Sequence, residues 1–176
     1  MASSSIILGG GCFWCLDAVY RNVKGVEDSI CGYAGGVIPN PTYDLVCTGQ
    51  TGHAEVVKVM FDLDIISEHD ILDIFWSIHD PTSLNKQGAD EGPQYRSIIL
   101  YVDEEQRERA EESKANAAKL WNGTIVTEIQ QLDVFYKAED VHQNYFANNP
   151  ERGYCQVVIE PKIVHFRQKF AQLMKE

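Results

Sequence analysis

Cys12 stands in Gly10-Gly11-Cys12-Phe13-Trp14-Cys15, directly after the run Ser5-Ile6-Ile7-Leu8 and directly before a segment with helical character. A cysteine in the first turn of a helix faces free backbone N–H groups and the positive end of the helix dipole, and both favour thiolate over thiol. Glycines just before it permit a sharp turn and leave the sulfur open to a close visitor. Phe13 and Trp14 can then form one wall of an apolar pocket. A buried cysteine among aromatics is often only a small hydrophobe. Three successive glycines at a strand-to-helix turn, however, cost chain entropy unless something must approach closely. Cys12 is therefore read as a nucleophile.

Four further polar groups stand where packing alone does not explain them. Tyr43 ends Asn40-Pro41-Thr42-Tyr43, Glu55 follows Thr51-Gly52-His53-Ala54, and Asp90 and Tyr95 lie within Gln87 to Arg96. Taken singly, a loop tyrosine is packing, a strand-end glutamate is solvated and an aspartate near glycines is a turn former. Together they suit one task. A soft thiolate needs an electrophile, and a carboxyl of raised pKa beside two phenols is an acid and hydrogen-bond donor set for an oxygen that is being protonated away.

The remaining cysteines bear on redox chemistry. Cys155, in Gly153-Tyr154-Cys155, is expected on a flexible C-terminal approach from which it reaches back to Cys12. Cys15 is spaced like the second member of a Cys-x-x-Cys pair. Cys31 falls in an expected strand and reads as inert, whereas Cys47 falls in a long loop and reads as accessible. Metal binding is the rival use for such residues, but a lone Cys-x-x-Cys and five histidines without ligand spacing argue against a zinc site.

The elements that must position these groups follow from periodicity and punctuation. Helices are expected over Cys12 to Val23, after a Ser67 cap until His79-Asp80-Pro81, from an Asp103 cap to Leu120, and from Pro161 with Ile163, Phe166, Phe170 and Leu173 on one stripe. Strands are expected at Val26 to Tyr33, Ala54 to Phe61, Ser97 to Val102 and Thr124 to Phe135. On the second of these, Glu55 shares a face with Val57, Val59 and Phe61. Two long irregular stretches, Ala34 to Gly52 and Thr82 to Gln94, carry most of the candidate residues, as loops on a rigid scaffold often do. The order points to an α+β fold, a two-layer sandwich with helices on a mixed, mostly antiparallel sheet.

A length of 176 residues suits a single domain over 1–176, with segment 150–176 carrying Cys155 and a terminal helix. A net charge of −11 disfavours nucleic acid and anionic lipid as partners. The start lacks the basic and apolar regions of a signal peptide, and the odd cysteine count suits reduced thiols, so a cytoplasmic monomer is expected.

Seven motifs in register, Gly-Gly-Cys-Phe-Trp at 10–14, Gly-Tyr-Ala-Gly-Gly at 32–36, Asn-Pro-Thr-Tyr at 40–43, Thr-Gly-His-Ala-Glu at 51–55, His-Asp-Pro at 79–81, Gln-Tyr-Arg-Ser at 94–97 and Gly-Tyr-Cys at 153–155, together resemble peptide methionine sulfoxide reductase A. The resemblance implies a ferredoxin-like core and reduction of the S epimer of methionine sulfoxide, free or in proteins. It implies that Cys12 attacks the sulfoxide sulfur while Phe13 and Trp14 hold the methyl group. Glu55 is then the acid, Tyr43 and Tyr95 bind the oxygen, and Asp90 supports the pocket. Cys12 leaves as a sulfenic acid. A second thiol condenses with it, and thioredoxin, or dithiothreitol in vitro, reduces the disulfide without a bound cofactor. Two positions depart from the family: many members carry Gly at position 15, and many have a later tail cysteine, whereas none follows Cys155 here. Cys155 is the expected resolving thiol, with Cys15 second and Cys47 a distant third. A general thiol–disulfide oxidoreductase built on Cys12 and Cys15 is the rival enzyme, and it would need neither Glu55 nor the tyrosines.

Overall fold

A computed structural model of the chain describes residues 2–175. The strands are β1 (Ser3–Gly9), β2 (Val26–Ala34), β3 (Ala54–Asp62), β4 (Lys86–Gln87), β5 (Asp90–Glu91), β6 (Ile98–Tyr101), β7 (Glu128–Gln131) and β8 (Tyr136–Lys137). The α-helices are α1 (Phe13–Tyr20), α2 (Tyr43–Cys47), α3 (Glu68–Ile78), α4 (Glu104–Ala117), α5 (Tyr145–Asn148) and α6 (Glu160–Lys169). One six-stranded sheet has the order β7-β6-β1-β3-β2-β8, and β4 and β5 form a separate hairpin. Its central strands, β6-β1-β3-β2, pair antiparallel throughout, which is the ferredoxin-like arrangement; β7 joins β6 in parallel and β8 joins β2 antiparallel.

Alternation along the strands sorts the core. Ile6 and Leu8 of β1, Cys31 and Tyr33 of β2, Val57, Val59 and Phe61 of β3 and Ile99 of β6 face the helical layer of α1, α3, α4 and α6. On the other face, Ile7, Ala34, Ala54, Val56, Ile98 and Leu100 are roofed by Leu132 and Phe135. That roof corrects the expected Thr124–Phe135 strand. The chain leaves one sheet edge after β7, crosses the back of the sheet and enters the opposite edge as β8. Gly32 admits the crossing, because a Cβ there would lie 2.4 Å from the Phe135 ring.

The caps at Ser67 and Asp103 form as expected, each side chain accepting the N–H three residues on, at 3.1 and 2.8 Å. The long stretch 34–52 contains α2, capped by Thr42. The C-terminal helix differs from expectation. A π-helical turn, Cys155–Ile159, runs into α6 ahead of Pro161. Proline has no N–H to donate and its ring crowds the carbonyl four residues back, so the helix upstream of Pro161 is wider than an α-helix. Cys155 thus lies on a helical turn, fully buried, and not on a flexible approach.

Candidate active site

The turn between β1 and α1 makes Cys12 the N-cap of α1, with extended backbone angles, while Phe13 opens the helix. Gly11 takes φ +87° and donates its N–H to the Tyr95 carbonyl at 3.1 Å, which docks the turn on the Pro93–Tyr95 segment. Gly10 lies against the His79 ring, where a Cβ would come within 2.8 Å. His79 is itself buried and locked between the Phe75 carbonyl (2.6 Å) and the Ser97 hydroxyl (2.7 Å). Burial holds it down to a pKa of about 4, so it is a neutral wedge under the cysteine turn.

Glu55 faces the helical layer from β3, opposite Tyr33 of β2. It is fully buried, as the alternation pattern implied. One carboxyl oxygen accepts the Phe13 N–H at 3.2 Å, and Oε2 is buried with no hydrogen-bond partner among the described residues. Burial, reinforced by Asp90, pushes its pKa up to about 8 against the lowering by the Phe13 N–H and by Cys12. The carboxyl is therefore mostly protonated at neutral pH.

Cys12 departs from expectation in its charge state. The Trp14 N–H and the Tyr154 hydroxyl do lower its pKa, as a helix start should, but burial, then Glu55, then Cys15 raise it well above the ordinary thiol value. With the residue buried, the resting group is a thiol. Desolvation outweighs a helix terminus here.

The structure brings the other candidates together around this pair. Phe13 is buried against Tyr33 and Tyr43, at 5.7 and 6.3 Å between ring centroids. Trp14 lies 6.4 Å from Tyr43. Burial keeps the phenols of Tyr43 and Tyr95 protonated as donors, and any charge on Glu55 or Cys12 would push them further the same way. Asp90, on β5, accepts the Tyr154 hydroxyl at 2.6 Å. Arg96 ties the loops that carry these groups, donating to the carbonyls of Pro93 at 2.9 Å and Gly52 at 3.0 Å.

The cysteines separate. Cys15 is buried one turn along α1, 3.8 Å from the Tyr154 hydroxyl. It lies near enough to Cys12 to raise the Cys12 pKa. The charges acting on Cys155 are those of Glu151 and Arg152 instead. Cys31 is buried in β2 against the Phe13 carbonyl, and Cys47 is exposed at the end of α2. Among the described residues no group of three or more His, Cys, Asp or Glu converges on a metal position, and no helix is long and apolar enough to cross a membrane.

Four residues that the sequence reading did not single out complete the wall. Glu139 accepts the Tyr33 hydroxyl at 2.8 Å and the Tyr43 N–H at 2.9 Å. His142 and Tyr145 flank Trp14, and Tyr154 closes over Cys15 and Asp90. Only Tyr154 carried a signal, through its place in Gly-Tyr-Cys; the others sit in a segment without periodicity.

The family model for peptide methionine sulfoxide reductase matches residues 4–174. A peptide methionine sulfoxide reductase MsrA of Nautilia profundicola is 54% identical over 170 residues, covering 97% of this chain and 95% of its own. The reduced form of Mxr1 from Saccharomyces cerevisiae superposes with a TM-score of 0.82 at 34% identity, over 87% of this chain and 89% of that one. Mxr1 in complex with Trx2 superposes with a TM-score of 0.58 at 26% identity, over 81% and 84% of the two chains. This chain belongs to the peptide methionine sulfoxide reductase family.

Proposed function

We propose that the chain, acting as one catalytic domain, reduces the S epimer of methionine sulfoxide through Cys12, with Glu55 as the acid. The observation that carries this reading is the Glu55 carboxyl: buried, largely protonated at neutral pH, and with one oxygen that accepts no hydrogen bond from the described residues. Such an oxygen is free to hand a proton to an incoming sulfoxide. Once Glu55 is neutral, its charge no longer opposes a thiolate at Cys12, so acid and nucleophile prepare one another.

The first step balances without a cofactor. The Cys12 sulfur attacks the sulfoxide sulfur while Glu55 protonates the oxygen, and the Cys12 proton replaces the one given. The substrate S–O bond breaks and the hydroxyl moves to Cys12, which leaves the sulfide and Cys12 sulfenic acid. Tyr43 and Tyr95 donate to the oxygen as its charge builds, Phe13 and Trp14 hold the methyl group, and Asp90 anchors the pocket through Tyr154.

A second thiol then displaces the hydroxyl as water and forms a disulfide. In place of Cys155, which is buried on a helical turn, we assign this step first to Cys15, since a Cys-x-x-Cys pair at N-cap and third helical position closes without moving the backbone far. Cys155 accepts the bond next, after its π-helical turn opens, and passes it to a dithiol donor. Thioredoxin is the donor we assign, supported by the complex of the yeast relative with Trx2.

Turnover on separated S and R epimers with dithiothreitol tests the reading. Reduction of the S epimer alone is expected. Equal reduction of both epimers, or of neither, overturns it.

A further inference from the structure

Trp14 is held on two sides by residues that no sequence motif picked out. Its face stacks on Tyr145, with ring centroids 3.8 Å apart and planes 7° from parallel. Stacking alone lets a ring slide and turn in its own plane. The edge is fixed differently: the indole Nε1–H donates to Nδ1 of His142 at 3.1 Å. His142 is 6% exposed and packs against Tyr43 at 4.4 Å and Phe13 at 5.4 Å.

The backbone around His142 is pinned to the rigid part of the molecule. Gln143 reaches β2 with its side chain, accepting the Cys31 N–H at 2.8 Å and donating to the Cys31 carbonyl at 2.9 Å. The Asn144 N–H, held in the left-handed region at φ +53°, donates to buried Asp17 of α1 at 3.1 Å. The imidazole is therefore a fixed post against which the indole edge rests.

We propose that His142 is the positioning residue for Trp14, that it acts as the neutral imidazole with its proton on Nε2, and that by fixing the indole it makes the pocket select a sulfoxide methyl over larger alkyl groups. This rests on the reading of Phe13 and Trp14 as the methyl-holding wall. Nδ1 accepts, so in the neutral ring the proton belongs on Nε2. A protonated ring would present N–H to N–H and the bond would be lost.

The groups around the ring keep it neutral. Burial lowers its pKa, and Glu139 in the preceding position of the turn opposes that shift without overcoming it. Both Glu139 oxygens are already engaged, by the Tyr33 hydroxyl and the Tyr43 N–H. Asp140 of the same turn is solvated and 4.0 Å from Lys137. Of the rings in contact, Phe13 and Trp14 carry no charge and Tyr43 is held protonated. The bond thus persists through neutral pH and is lost only in acid.

The test compares the parent with His142→Phe, which keeps the aromatic packing but offers no acceptor, and His142→Asn, which returns an acceptor oxygen at a similar reach. Steady-state kinetics are read between pH 5 and 8 on the S epimers of methionine and ethionine sulfoxide, with dithiothreitol as reductant. His142→Phe is expected to raise KM for the methyl substrate about tenfold, the cost of one buried hydrogen bond, with little change in kcat. Its preference for methyl over ethyl should fall, and His142→Asn should restore much of it. The parent KM should climb in acid and that of His142→Phe should stay flat. Indole emission, taken as the difference from Trp14→Phe, should shift over the same acid range in the parent alone. A methyl preference and acid limb unchanged in His142→Phe overturn the proposal; if that variant does not fold, a parent KM and emission flat in acid do so. A parent that reduces neither sulfoxide defeats the functional reading instead, and the emission shift still decides whether His142 holds Trp14.

Discussion

The two halves of the site are built in different ways. Cys12 and Glu55 sit on the junction of α1 with β3, an interior strand of the sheet flanked by β1 and β2. The wall residues His142, Tyr145 and Tyr154, together with Cys155, belong to a C-terminal segment with a 3₁₀ turn, a four-residue helix and a π-helical turn before α6. The first half is held by backbone ladders and a continuous core. Much of the second is held by side-chain tethers, such as Gln143 to Cys31, Asn144 to Asp17 and Tyr154 to Asp90. A ladder opens cooperatively, whereas a single tether is worth about 1 kcal/mol and opens alone. The contrast suits two chemical demands: oxygen transfer needs fixed geometry, and carrying a disulfide outward needs a thiol that travels.

The sharpest way to break this contrast is at its rigid end. Cys12→Ser should abolish reduction with the fold intact, because a serine hydroxyl near neutral pH cannot replace the thiolate. Turnover in that variant, measured with dithiothreitol, would remove Cys12 from the mechanism.

Glu55→Gln keeps a donor but cannot transfer its proton, so the chemical step in single turnover should slow on the order of 10²–10⁴-fold. Activity of the parent should fall as pH rises through about 8, where the acid is lost. Stability should move the other way in the variant. The Glu55 carboxyl titrates near 4.5 when unfolded and near 8 when folded, so its contribution is complete below 4.5 and is lost as pH rises to 8. The melting temperature of Glu55→Gln relative to the parent should therefore increase between pH 5 and 8 and then level off. A difference that is flat across this range would mean that Glu55 is not buried as an acid.

Much of the rigid half was legible in the sequence, and for physical reasons. The alternation of Glu55, Val57, Val59 and Phe61 put the carboxyl in the core, and the glycines before Cys12 put the sulfur at a helix start. The thiol state was not legible, since desolvation depends on what folds over Cys12, and Tyr154 comes from 142 residues away. The Thr124–Phe135 run has strand-like residues, but Leu132 and Phe135 are spent on roofing the back of the sheet. His142 and Glu139 act through one and two hydrogen bonds, which leave no periodicity to read.

Thiol mapping tests the movable half. After oxidation by one equivalent of substrate and digestion without reductant, a Cys12–Cys15 peptide should appear first and a Cys155-containing disulfide later. Cys15→Ser should retain one fast turnover but lose rapid recycling by thioredoxin. A Cys12–Cys155 bond formed as fast in Cys15→Ser as in the parent would show that Cys155 reaches the sulfenic acid directly and that the segment is looser than its burial suggests.

Tyr43→Phe and Tyr95→Phe should each cost about tenfold in the chemical step, the worth of one hydrogen bond to a developing charge. Either phenol partly covers for the other, so the double variant should lose more than the product of the two. Strictly multiplicative losses would mean that the hydroxyls serve separate atoms.

The smallest effect is expected from Tyr154→Phe. Its hydroxyl donates to Asp90 at 2.6 Å and lies 3.8 Å from the Cys15 sulfur, so it is a tether between the C-terminal segment and the pocket. The ring itself keeps its edge contact with Trp14, 5.7 Å between centroids, so packing should survive. Loss of the hydroxyl should destabilise the closed segment by about 1 kcal/mol. Amide exchange should then quicken several-fold over Cys155–Ile159 and stay unchanged in β3, since the sheet does not depend on that tether. Cys12 oxidation should slow only a little, since the Tyr154 hydroxyl is the weakest of the groups acting on the Cys12 pKa, while transfer of the disulfide to Cys155 should become faster. If exchange quickened equally in β3 and the C-terminal segment, the two halves would open as one unit, and the division between a fixed acid–thiol pair and a movable wall would fail.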